Sequence, residues 1–176
     1  MVARTVPVLP FGSMKQPVRT FITSLTFILL IGPMVFAQGK ELPVLNQRIV
    51  DFVHDHEGKK VGRGECWDLA AEALNSAGAK WNGFYDFGSI VDWKKDAVLP
   101  GDILQLENVE VERREGNSIS REHYGQHTAI VVAVHGRGDY EIAQQNMRPM
   151  GKKVGTSALR MADVRSGKLT FHRPAE

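Results

Sequence analysis

The sequence predicts an α+β domain in which two N-terminal helices pack on an antiparallel sheet. Three observations carry that expectation. Helical apolar spacing is confined to the stretch before Gly78, the strand-like runs lie after Pro100, and two of those runs are joined by a glycine turn short enough for a hairpin.

The first helix is read from Leu45, Ile49, Phe52 and Val53, which follow the i, i+4, i+7, i+8 spacing of one helical face, and Gly58-Lys59-Lys60 ends it. The second is expected from Cys66 to about Ala77. Leu69, Ala73, Leu74 and Ala77 form its apolar side and Gly78 supplies a C-cap, while the small Ala70, Ala71 and Ala73 allow a close neighbour. Lys80 to Lys95 holds Trp81, Phe84, Tyr85, Phe87 and Trp93 without a sustained period and reads as a structured loop. Leu99-Pro100-Gly101-Asp102 is a turn launching the strand Ile103-Leu104-Gln105-Leu106, which Val109 and Val111 extend. Glu112 to Gln126 is charged and glycine-containing, the composition of a hairpin connection or a mobile flap. His127 leads an apolar strand to Val134, the glycine turn His135 to Asp139 follows, and Tyr140 to Gln145 is the return strand. Leu159 to Val164 reads as a short helical turn and Leu169 to Arg173 as a last strand.

Residues 1–37 carry Arg4, Lys15 and Arg19 with no acidic residue, then an apolar run from Phe21 to Phe36, then Ala37. This is the pattern of a signal peptide cut after Ala37, with small side chains at −3 and −1. The apolar run is 16 residues with Gly32-Pro33 inside it, short of the roughly 20 that span a bilayer. The expected product is a single domain, residues 38–176, secreted or periplasmic and without a stable membrane anchor. Losing three basic and no acidic residues takes the formal charge from +2 to −1, so neither nucleic acid nor an anionic surface is implied as a partner. A single cysteine in such a protein forms no internal disulfide and is buried, paired with another molecule, or kept for its reactivity.

Cys66 stands where Gly62-Arg63-Gly64-Glu65 opens into the second helix. First-turn N–H groups and the positive end of the helix macrodipole favour an anion there, which suits a nucleophilic thiolate. Against this, unpaired cysteines are commonly small buried hydrophobes. His127 is the candidate base, with His123 as fallback; His135 and His172 lack a suitable partner segment. His54-Asp55-His56-Glu57 invites a metal reading, but residues two apart on a helix diverge and no second ligand cluster is evident, so neither metal nor cofactor is expected. Gln144 and Asn146 share one face of their strand by alternation, opposite Gln145, and either amide would orient the histidine.

Taken in order, Gly62-Arg63-Gly64-Glu65-Cys66-Trp67-Asp68, Pro100-Gly101-Asp102-Ile103, His127-Thr128-Ala129-Ile130-Val131 and Gln144-Gln145-Asn146 resemble the CHAP and NlpC-like branch of papain-fold cysteine peptidases and amidases. The resemblance covers roughly Val44 to Asn146. It implies a papain-like cysteine hydrolase fold, Cys66 as nucleophile, His127 as general base, and a peptide or peptidoglycan substrate cut at an amide bond. Asn146 matches an asparagine of that pattern, whereas Gln144 stands where many members have a glutamate. A neutral amide orients an imidazole but stabilises its cation less than a carboxylate does, which leaves open a non-catalytic binding module on the same fold.

Overall fold

The computed structural model describes residues 41–176. The expected signal peptide, residues 1–37, lies outside them. Helices α1 (Val44–His56) and α2 (Cys66–Ala77) come first, followed by six strands: β1 (Ser89–Val91), β2 (Ile103–Glu115), β3 (Ser118–Gly136), β4 (Asp139–Gln144), β5 (Gly155–Arg160) and β6 (Val164–Arg173). All pair antiparallel in the order β1-β6-β2-β3-β4-β5. The expected α+β class, helices on an antiparallel sheet, is the observed one.

Alternation along the strands divides the apolar residues between two cores. Ile103, Ile130 and Ala143, aligned across β2, β3 and β4, meet Leu45, Ile49 and Val53 of α1 and Leu69, Ala73 and Leu74 of α2. The residues next to them, Leu104, Ala129, Val131 and Ile142, belong to a second cluster with Leu106, Tyr124, Tyr140, Leu159 and Phe171. Both clusters are essentially closed to solvent, so the sheet is anchored on each side.

The turn at Pro100-Gly101-Asp102 is fixed from beneath. Asp102 is fully buried and accepts hydrogen bonds from the Leu99 N–H at 2.9 Å and from Asn46 at 3.1 Å, and it pairs with Arg173 at 2.8 Å. Gly101 has φ 85°, and a Cβ there would fall 2.5 Å from the Asn46 carbonyl oxygen. Only glycine fits that approach.

Four sequence expectations need correction. Lys80 to Lys95 contains β1, which is only three residues long, pairs with β6 on one side, and leaves Ile90 73% exposed; so short an edge strand has no period to read. The charged segment from Glu112 is the outer part of a continuous β2–β3 hairpin turning at Gly116-Asn117. Its charges pair within and across the strands, Arg113 with Glu122 and Arg121 with Glu112, which is how two solvated strands hold register without an apolar face. His127 therefore sits in the middle of β3 and does not lead it. At the C-terminal end, the short helical turn expected over Leu159 to Val164 is a 3₁₀ turn at Met161–Asp163, with β5 running up to it through Arg160, and β6 starts at Val164, earlier than the expected Leu169.

Candidate active site

The turn before α2 is clamped from two directions. On one side Asp68 accepts hydrogen bonds from the Arg63 N–H at 2.8 Å, the Glu65 N–H at 3.2 Å and the Arg63 guanidinium at 2.9 Å. Burial pushes the Asp68 carboxyl upward, but the bonds from Arg63 and Glu65 outweigh it and hold the group below its usual range. Gly62, at φ 55°, packs so tightly on Asp68 that a Cβ would lie 2.9 Å from the aspartate Cβ. On the other side stands Gln145, with no exposed surface. Its Oε1 accepts the Val61 N–H at 3.2 Å, and its Nε2 donates to the carbonyls of Val61 at 3.0 Å and Glu65 at 2.7 Å.

Cys66 is the first residue of α2, directly after the N-cap Glu65, and its side chain is half-buried as a free thiol. The Glu65 side chain accepts hydrogen bonds from Asn146 at 2.7 Å and Lys152 at 2.9 Å. Two of three consecutive residues after Ala143 thus hold the segment that delivers Cys66.

The third, Gln144, holds the histidine. His127 is 5% exposed, and its Nε2 lies 2.9 Å from Gln144 Oε1. Burial lowers the His127 pKa, and the bond to Gln144 offsets only part of that shift. At neutral pH the ring is uncharged, with one nitrogen free to accept a proton. His127 shares strand parity with Ala129 and Val131 of the second core, while Cys66 heads the helix that packs on the first.

Of the four residues singled out from sequence, the structure joins His127 to Gln144 and joins Asn146 to the residue preceding Cys66. β4 ends at Gln144, and Asn146 has φ 64°, so strand alternation does not extend to it. That is why Asn146 and Gln144 point to different partners. Gln145, read from sequence only as the opposite face, is the residue that fastens the turn. Among the other histidines, His123 is exposed and bonded to Glu110, and His56 faces the Phe52 carbonyl at 2.7 Å. Among the described residues no group of three His, Cys, Asp or Glu side chains is arranged to hold a metal ion.

Residues 44–176 match the family model described as the AIM3/BBC1 cysteine proteinase-fold domain. The chain belongs to this family. The AIM3/BBC1 match spans both helices and all six strands, so the cysteine proteinase fold covers every element described above. A curated relative, altered inheritance of mitochondria protein 3 of Debaryomyces hansenii, is 31% identical over 145 residues. That alignment covers 72% of this chain but 15% of the relative, so the chain spans only a small part of that relative's length. Among solved structures, the crystal structure of Ly7917 is similar at TM-score 0.43 and 18% identity, over 72% of this chain and 62% of that one. A second Ly7917 structure, with the hydrolyzing product of MDP, is similar at TM-score 0.43 and 23% identity, over 73% and 63%.

Proposed function

We propose that this AIM3/BBC1-family domain is a cysteine hydrolase acting on peptide amide bonds, in the manner of the CHAP and NlpC-like enzymes its motifs resemble. The observation that supports this most directly is the 2.9 Å contact between the buried His127 ring and Gln144, on a strand end whose next residue grips the peptide leading into Cys66. Gln144 takes the Nε2–H, so Nδ1 is the basic nitrogen. No hydrogen bond joins Cys66 to His127 among the described residues, so this reading requires the thiol to reach Nδ1; there Cys66 gives its thiol proton to Nδ1 and attacks the amide carbon. The carbonyl electrons move to oxygen, where the backbone N–H of Cys66 at the start of α2 receives the oxyanion. Collapse re-forms the carbonyl and expels the amine, which takes the proton from the imidazolium. Water then attacks the thioester, with His127 again accepting the proton and returning it to the thiolate.

The basic, then apolar, leader in residues 1–37 favours action outside the cytoplasm, secreted or periplasmic after cleavage near Ala37, on cell-wall peptides. Two measurements test the reading. A zymogram on purified cell wall, with the newly exposed ends identified, should show release by the wild type and none by Cys66→Ala. Iodoacetamide should label Cys66 in the folded protein, and His127→Ala should slow that labelling at neutral pH. Labelling indifferent to His127, together with no released ends, would leave the non-catalytic binding module.

A further inference from the structure

Cys66 opens α2, and its two neighbours in sequence are held by different parts of the chain. Successive residues of a helix point about 100° apart, so Glu65 and Trp67 lean to opposite flanks with the thiol between them. Glu65 turns to Asn146 and Lys152. Trp67 turns to the segment before β1, where its indole N–H donates to the Phe84 carbonyl at 3.0 Å. A side chain in the first turn of a helix leans back over the helix start, so this bond brings the Phe84 backbone to the same end of α2 as the thiol.

The segment around Phe84 is firmly anchored and yet shows aromatic rings to water. Phe87 has no exposed surface and carries the Trp81 ring at 5.9 Å and the Tyr85 ring, edge-on, at 6.1 Å. Trp81 stands 5.7 Å from Trp67 and donates its N–H to Asn75 of α2 at 2.9 Å. Between these anchors Asn82 Oδ1 accepts the Phe84 N–H at 2.8 Å, which closes a tight local turn. Phe84 is nevertheless 71% exposed and Tyr85 47%. Adjacent apolar rings held outward on an anchored loop are the mark of a surface that binds something. From Trp81 to Tyr85 no side chain is charged, whereas the Glu65 flank carries the ion pair with Lys152 at 2.9 Å. The two sides of the thiol therefore differ in kind, one apolar and one ionic.

We propose that Phe84 and Tyr85 form a subsite for a large apolar side chain of the peptide substrate, on the Trp67 flank of Cys66. A charged substrate residue would lose water there without gaining a partner, while an aromatic or branched aliphatic one covers both rings. The subsite rests on the proposed role of Cys66 as nucleophile, but alkylation of the thiol reads it without turnover. The rate with N-benzyl-2-iodoacetamide is divided by that with iodoacetamide, and the quotient by the same quotient for urea-unfolded protein. The resulting ratio should be at least about five in the folded wild type, from ring-on-ring contact. Phe84→Ala and Tyr85→Ala, both at exposed positions, should bring it down toward one, whereas Ile90→Ala, at an exposed apolar residue of β1, should leave it as it is. A wild-type ratio near one would overturn the assignment, as would a raised ratio that survives the double variant Phe84→Ala/Tyr85→Ala. Protection of Cys66 by N-acetylglucosamine with no benzyl preference would overturn it too, by placing a sugar on these rings. A benzyl preference with no cell-wall ends released would keep the subsite and remove the hydrolase reading; released ends with a ratio near one would do the reverse.

Discussion

Gln145 donates from Nε2 to the carbonyl of Glu65 at 2.7 Å, a bond across 80 positions of sequence that ties the end of β4 to the peptide entering Cys66. The same side chain satisfies both backbone groups of Val61 at a fully buried site. Truncation would strand buried donors and acceptors, each costing about 1–3 kcal/mol. Gln145→Ala is therefore expected to lower stability by about 3 kcal/mol in urea unfolding and to depress Cys66 reactivity in the protein that remains folded. A loss under about 0.5 kcal/mol would mean that water replaces the amide and that the turn holds itself.

The buried His127 makes a prediction about acid. Its folded pKa lies below the ordinary histidine value because of burial, against the partial offset from Gln144. Below about pH 6.5 the unfolded chain binds a proton that the native state refuses, so stability falls as pH drops from there toward the folded pKa. Above that window both states are neutral and this group adds no slope. Unfolding free energy compared at pH 7.5 and 5.5 should fall more in the wild type than in His127→Gln. An equal fall in both would show that the ring is solvated.

Asp68 has the opposite sign. Its carboxyl is held below the usual range, so its contribution is complete above the unfolded value near 3.9 and is lost as pH falls through the folded pKa. Asp68→Ala removes the acceptor for two backbone N–H groups, at an expected cost of about 2–3 kcal/mol. The ion pair itself adds little, because Arg63 is 77% exposed. Arg63→Ala should accordingly cost under about 1 kcal/mol, and denaturation midpoints of the two variants separate the backbone clamp from the salt bridge.

How much of this was legible in the sequence follows from how local each signal is. The second helix was readable because its start at Cys66 and its stop at Gly78 are both chemical punctuation within the segment itself, and Gly78 adopts the left-handed φ of 79° that such a cap requires. The apolar run after His127 was equally plain. The outer hairpin was not, because two solvated strands bonded by ion pairs carry no apolar alternation. Gln145 was illegible for a different reason. Its role depends on partners 80 residues away, which leave no pattern in the residues nearby. Asn146 was placed on the face of Gln144 by extending a strand that ends two residues earlier.

The decisive comparison is among Gln144 and Asn146 variants. Gln144→Ala leaves the buried Nε2–H of His127 without an acceptor and frees the ring to rotate, so turnover should fall at least about tenfold while the fold survives. Gln144→Glu places a carboxylate at the same ring nitrogen, which raises the His127 pKa and favours a thiolate–imidazolium pair. Activity should be unchanged or higher, and the acid limb of the pH–rate profile should move upward. Asn146→Ala removes one bond to the side chain of Glu65, itself also held by Lys152. Its expected cost is under about 1 kcal/mol, with a correspondingly small change in rate. The reverse order, a silent Gln144→Ala beside a crippled Asn146→Ala, would mean that the imidazole swings away from Gln144 when substrate binds and is oriented by Asn146 instead.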